Sequence, residues 1–370
     1  MLAAASLVVL LLAFAVSAAL RVNRSMQHLD IAALAAALSA AAWVVRGYWR
    51  ARALARAARK PSPRWYELRP NIVGVGASLL LLVWWGARVP ASMGQGPAGP
   101  DVPAEPFDRP WFDKRVVLIS LGDSVSTGYG AGEGLGYFEL IQRNRDGIYP
   151  EMRGRELRRV APELSVIRLA QNSTNSMDHE RVVQSLPYFK QDTFGLVCMT
   201  TGGIDLIHSY GKRAPREGAM YGADYATAKP WIERFEARLD RMMGALSERF
   251  PGGCAVFLAT IYDPTDGESD IENAGPIFWL PAWEEGRPVF DGFNDAIRRV
   301  AERHDHVHLV DVHAVMLGHG IHCRDRDNPH YCPEDPTYWY YVNLEDPNQR
   351  GYDAIRRVFI NAMIQALAWK

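Results

Sequence analysis

Cysteine is scarce: the 370 residues hold four, Cys198, Cys254, Cys323 and Cys332. No Cys-x-x-Cys pair occurs, so nothing in the cysteine spacing points to a zinc site. Cys198 and Cys254 lie inside apolar runs, as core thiols do, whereas Cys323 and Cys332 flank a polar loop and are near enough in sequence to be bridged in an oxidising compartment. Net charge is also nearly absent, at -1, but the balance is uneven. Residues 1–106 carry 11 Lys+Arg against 4 Asp+Glu, which leaves 30 against 38 in the remainder, a net of -8. An acidic main domain is a poor electrostatic match for nucleic acid or anionic headgroups, and nucleic-acid binding is set aside. The chain shows no internal repeat.

What is present begins with long apolar runs. Residues 2–20 carry no charge and are long enough to cross a bilayer as a helix; 31–45 and 72–87 are shorter runs near the lower limit for a span. Between the last two lie Arg46, Arg50, Arg52, Arg56, Arg59, Lys60, Arg64 and Arg69, opposed only by Glu67. The positive-inside rule puts that loop in the cytoplasm and everything after the third run outside. The expectation is a membrane region of up to three transmembrane helices over 1–89, anchored in a bacterial-type inner membrane. Residues 90–110, rich in Pro and Gly, read as an extended linker, and 111–370 as a domain on the periplasmic or extracellular side.

In that domain, short apolar runs alternate with helical periodicity, the pattern of parallel strands joined by crossover helices. The strand candidates are 116–121, 165–170, 194–200, 255–261 and 307–312. Helical spacing is clearest at Ile232, Phe235, Leu239, Met242, Met243 and Leu246, and at Ile355, Val358, Phe359, Ala362, Met363, Ala366 and Leu367. Five strands with flanking helices predict an α/β flavodoxin-like three-layer sandwich with a five-stranded parallel sheet. The first strand stops at Gly122-Asp123-Ser124, which parks a serine where α/β enzymes place reactive groups.

Gly-Asp-Ser at the end of a buried strand resembles the nucleophile block of the SGNH, or GDSL, hydrolases: serine esterases, lipases and carbohydrate deacetylases. The resemblance implies the same sandwich, a Ser124 nucleophile, oxyanion or substrate contacts from Asp123, Ser173, Gly202 and Gly203, and no cofactor or metal. The family's second block has a glycine where this chain has Ser173, within Leu169-Ala170-Gln171-Asn172-Ser173-Thr174-Asn175. Asn172 or Asn175 is then a candidate side-chain donor to an oxyanion, and helix capping is the competing role for this loop. The third block is matched by Gly202-Gly203-Ile204-Asp205, with Ile204 in the place of the oxyanion asparagine. The last block keeps Pro347-Asn348 and Gly351 but has Asp346 in the histidine slot.

A carboxylate near its usual pKa is a weaker base than imidazole for a serine hydroxyl. The expected replacement is His319 or His322, from the glycine-flanked loop after the fifth strand, with Asp346 orienting the relocated ring. Zinc on paired histidines and calcium on the acidic turn around Asp263, Asp266 and Asp270 are weaker alternatives. Trp283, Tyr338, Trp339 and Tyr340 are candidates for a wall against sugar rings or acyl chains, or for plain loop packing. The functional expectation is a membrane-anchored serine hydrolase acting on an ester-bearing small molecule, lipid or glycan. An acyltransferase is a close variant, and Ile204 with Asp346 keeps a catalytically impaired binding module for an envelope carbohydrate in contention.

Overall fold

The computed structural model describes residues 42, 45–61, 96–274, 280–341 and 343–368. The chain divides into two units, Met1–Gly94 with Glu272–Trp279, and Gln95–Ile271 with Leu280–Lys370. The first unit's main described element is a helix over 45–57 with exposed Arg46, Arg50 and Arg56. The expected spans at 2–20 and 72–87 lie outside the described residues, as does nearly all of 31–45. Among the described residues no helix is long and apolar enough to cross a membrane.

The second unit is built on five strands, β1 (Arg115–Leu121), β2 (Leu164–Arg168), β3 (Thr193–Met199), β4 (Cys254–Ala259) and β5 (Val307–Val310). All pair in parallel, in the order β2-β1-β3-β4-β5. The five predicted strands are all present. β1 ends where expected and the other four stop one or two residues early; at β5 the chain has already turned, since Asp311 caps a new helix by accepting from Ala314 N–H.

The helices of this unit, in chain order, are α1 (Ser124–Thr127), α2 (Tyr137–Gln142), α3 (Leu157–Val160), α4 (Ser176–Ser185), α5 (Gly203–Ile207), α6 (Tyr225–Arg249), α7 (Gly286–Arg303), α8 (Val312–Met316) and α9 (Gln349–Met363). Alternation along each strand sends successive side chains to opposite faces. Val117, Ile119 and Leu121 of β1 join Val197, Met199, Val256 and Leu258 in a core closed by Phe235, Leu239 and Met243 of α6 and by Phe293 and Ile297 of α7. On the other face α2 packs against α9, with Tyr137 stacked on Phe359 at 4.7 Å between centroids.

Residues 96–108 depart from the expected extended linker. Ala98, Val102 and Phe107 are buried, and Ala98 N–H donates to Asp353 Oδ2 at 2.9 Å. Asp353 also holds Arg356 and Arg357 of the same helix, all three buried. Arg357 pairs in addition with Glu151, while Arg356 bonds Asn144 at 2.7 Å and lies over the Tyr149 ring. A Pro/Gly composition signals the lack of regular structure; it does not say whether the segment is docked, and here a buried carboxylate on α9 captures it. Asp353→Ala would leave buried Arg356 without a counter-charge and Arg357 with Glu151 alone, and urea denaturation should show a loss of about 3–5 kcal/mol; a loss below about 1 kcal/mol would show that the network does not hold this face together.

Candidate active site

The strand order reverses its direction of growth at β1: the chain runs outward to β2, then returns across β1 to β3. Such a switch opens a crevice at the carboxyl ends of the two central strands. Gly-Asp-Ser follows β1 and Gly202-Gly203 follows β3, so both loops border it.

Gly122 makes the close approach there. A Cβ on it would lie 2.4 Å from Thr200 Oγ1 and 2.5 Å from Thr200 O, so only hydrogen fits. Asp123 caps α1, its Oδ1 accepting from Val125 N–H and from Thr200 Oγ1, both at 3.1 Å. Thr200 Oγ1 then bonds Ser126 Oγ at 3.0 Å, and Ser126 Oγ bonds Tyr137 OH at 2.7 Å. This hydroxyl chain locks the turn that presents Ser124, the first residue of α1. Asp123, expected to help bind substrate or oxyanion, is instead a buried acceptor that positions the turn. Burial pushes its carboxyl up to about 6, against the Thr200 and Val125 donors.

Asp346, on the loop before α9, interacts with the Ser124 hydroxyl. Burial raises its pKa, and the Ser124 hydroxyl and the Asn343 amide act in the opposite direction by favouring the charged form. Asn343 grips it twice: Nδ2 donates to Oδ2 at 2.6 Å, and Oδ1 accepts Asp346 N–H at 3.2 Å. The other carboxyl oxygen, Oδ1, is buried and has no hydrogen bond of normal geometry. Tyr352 OH donates to Tyr129 O at 2.7 Å and the Tyr341 ring meets Tyr129 edge-on, which ties the loop of Asp346 to the end of α1. Glu345 is pushed up to about 7 by burial, with Asp346 and Asp123 adding repulsion.

The histidines fall elsewhere. His319 stacks on Trp339 with centroids 3.3 Å apart, and its Nδ1 lies 3.2 Å from Thr337 O. The charges acting on it are Asp335 and Arg350, and burial lowers it to about 4. His322 Nε2 is 2.9 Å from Asp270 Oδ1. Among the described residues no imidazole is hydrogen-bonded to Ser124, so the expected relocation of a ring from this loop is corrected. That loop folds around Asp266, whose carboxylate accepts N–H groups of Gly318, Gly320 and His322; Asp263 accepts those of Thr265 and Gly267. The acidic turn thus spends its oxygens on backbone. The cysteines flanking it, Cys323 and Cys332, form no disulfide. Trp339, Tyr338 and Tyr340 are buried and pack the loop instead of walling a ligand.

Of the oxyanion candidates, Ser173 holds the left-handed backbone that the family's glycine would adopt freely, with φ 62°. Asn175 is spent on capping α4: its Oδ1 accepts from Met177 and Asp178 N–H, and Asp178 returns the bond to Asn175 N–H. Asn172 stays exposed, with Oδ1 receiving the Thr127 hydroxyl, and it is the side-chain donor still open to a ligand. Gly202, at φ 97°, lets the chain pass Ile261 and Phe235 into α5, where Ile204 is buried. Gly203 faces Asp123.

One imidazole that sequence reasoning passed over does bind these loops together. His179 is buried, with Nδ1 2.8 Å from Thr201 Oγ1 and Nε2 3.0 Å from Thr174 Oγ1, and Thr174 Oγ1 reaches Gly122 O. It clamps the ends of β1, β2 and β3 to one another. No local pattern marks it, because Thr174 and Thr201 come from different loops.

A model of the GDSL-like lipase/acylhydrolase family matches residues 120–354. The chain belongs to that family. No curated protein matches it. Among solved structures, this GDSL-family chain is similar to an α/β hydrolase enzyme from the metagenome of Lake Arreo, Spain (19% identity, 69% of this chain and 96% of that chain, TM-score 0.38). It is also similar to an acetylxylan esterase from Geobacillus stearothermophilus (14%, 69% and 94%, 0.39) and to a psychrotrophic esterase from Pseudoalteromonas sp. (16%, 67% and 97%, 0.39). Membership rests on the family model.

Burial holds His179 near 4 in the folded chain, against 6.5 unfolded. Between those values the unfolded chain binds the extra proton, so the contribution of His179 is full above about pH 6.5 and is lost as pH falls toward 4. The stability difference between wild type and His179→Gln should therefore shrink by about 3 kcal/mol from pH 7 to pH 4 in urea titrations. A difference independent of pH would show that the ring does not fold neutral between its two threonines.

Proposed function

We propose that this GDSL-family domain cleaves a carboxylic ester through Ser124, passing the acyl group to water or to an acceptor hydroxyl. The observation that carries the reading is Ser124 itself, held at the switch-point crevice with the buried Asp346 carboxyl facing it. A serine fixed by a locked turn, with its hydroxyl beside a proton acceptor, has what acyl transfer asks of a nucleophile. Asn172 and the backbone N–H groups around Ser173 and Gly203 are the donors this reading assigns to the oxyanion.

The three apolar runs before residue 90 and the arginine-rich loop between them support a domain carried on the outer face of a membrane. Acylated envelope glycans and lipid esters would then be within reach. A second reading, a binding module for such a glycan, is favoured by two observations: Ile204 contributes no donor, and no imidazole among the described residues bonds Ser124.

The full-length protein in detergent, treated with a fluorophosphonate probe and assayed on p-nitrophenyl acetate, separates these readings. Wild type should label and turn over, and Ser124→Ala should lose labelling and about 10³-fold or more of the rate. If wild type neither labels nor hydrolyses, the binding module stands; turnover that survives Ser124→Ala removes Ser124 from the reaction.

A further inference from the structure

The position before the last helix that would carry the imidazole in a Ser–His pair carries Asp346, and among the described residues no imidazole is hydrogen-bonded to Ser124. His179 has a threonine hydroxyl on each ring nitrogen, His322 is bonded to Asp270, and His319 is stacked under Trp339. Yet the slot is neither collapsed nor filled by an inert side chain. Asp346 is 2% exposed, and a carboxylate buried this far ordinarily has every oxygen satisfied. Asn343 satisfies Oδ2 and holds the backbone N–H; Oδ1 is left open on the buried carboxyl that faces the serine.

We infer that Asp346 is itself the base: its Oδ1 accepts the Ser124 proton, so the working pair is Ser–Asp. This rests on the reading of Ser124 as nucleophile and adds the residue that activates it. The Ser124 O–H bond breaks as Oγ bonds to the ester carbonyl carbon, and the proton moves to Asp346 Oδ1. On collapse of the tetrahedral adduct the bond to the alkoxy oxygen breaks, and Asp346 returns the proton to the departing alcohol. Water or an acceptor hydroxyl then attacks the acyl-serine, giving its proton to Asp346, which passes it back to Ser124 Oγ as that ester bond breaks.

Electrostatics decides whether a carboxylate can do this. In water its affinity for a proton is too low by several powers of ten relative to imidazole. Here burial raises it. The titratable groups that face Asp346 are Asp123 after β1, Glu345 on its own loop, Tyr262 after β4 and Tyr352 on α9. None of the four is cationic, so no neighbouring positive charge opposes a proton on Asp346, and the Asp346 charge in turn pushes Asp123 and Glu345 up. Transfer shifts one negative charge from Asp346 to the oxyanion without creating an ion pair, so a dry site does not have to stabilise a new imidazolium.

The test compares Asp346→Asn, Asp346→Glu and Asp346→His in the full-length protein, with p-nitrophenyl acetate turnover, fluorophosphonate labelling and thermal melts. Asp346→Asn keeps shape but cannot take a proton; kcat should fall about 10²-fold or more with KM little changed, since general-base catalysis is worth about 10²–10⁴. Either Asp346→Glu or Asp346→His should exceed the Asn variant by about tenfold or more. In an active Asp346→His enzyme the acid limb of the pH profile should differ from that of wild type, because an imidazole and not a carboxyl then takes the proton. The inference is overturned if Asp346→Asn stays within about threefold of wild type, or if neither basic variant exceeds it. Loss of turnover in Ser124→Ala with full turnover in Asp346→Asn sinks this inference alone, whereas full turnover in Ser124→Ala sinks the nucleophile reading with it.

Discussion

The contact on which the site depends is the approach of two strand ends: Gly122 at the close of β1 and Thr200 at the close of β3. A side chain on Gly122 would occupy the space of the Thr200 hydroxyl and carbonyl, so hydrogen there is the condition for the two loops to meet. Once they meet, one threonine hydroxyl can serve both Asp123 and Ser126, and the turn bearing Ser124 becomes rigid. His179 repeats the device one layer out, joining the loop after β2 to the same pair. Three loops far apart in sequence thus share one hydrogen-bonded floor.

Above that floor the balance of charge is unusual for a serine-centred site. Asp123, Glu345 and Asp346 are withdrawn from water within mutual influence, and phenols of Tyr262 and Tyr352 surround them. Desolvation disfavours the ionised form of every carboxyl in such a group, and like charges reinforce it. Groups that titrate far below neutrality in water are brought toward it, which is where proton transfer is efficient. Burial alone drives an imidazole the other way, as it does His179 and His319 in their own pockets.

The other face is organised by ions of both signs. Asp353, Arg356 and Arg357 project from α9 into the interior, and they reach the segment before β1, the residues after α2 and the Tyr149 ring. The helix that follows Asp346 is therefore anchored at several points, which steadies the loop in front of it. Asn348 completes that end by capping α9 while its Nδ2 donates to Tyr338 O.

The central strands β1, β3 and β4 were legible because burial on both faces of a parallel sheet writes a near-continuous apolar run into them, and α6 and α9 because one-sided burial writes a 3.6-residue period. Ser124 was legible because a strand, a glycine and a turn are local. Placement of the remaining polar groups was not: Asp346 was read as supporting a distant ring and stands against the serine itself, and His179 lay unremarked between two threonines. Residues 96–108 looked like a tether and are docked on a carboxylate some 250 positions away. Local pattern, in the end, determined which segments form the sheet and where Ser124 sits at the end of its first strand. Which acid faces that alcohol, and which imidazoles are withdrawn from it, was decided only when separate loops converged, because the energy of a buried polar group depends on partners that sequence proximity does not specify.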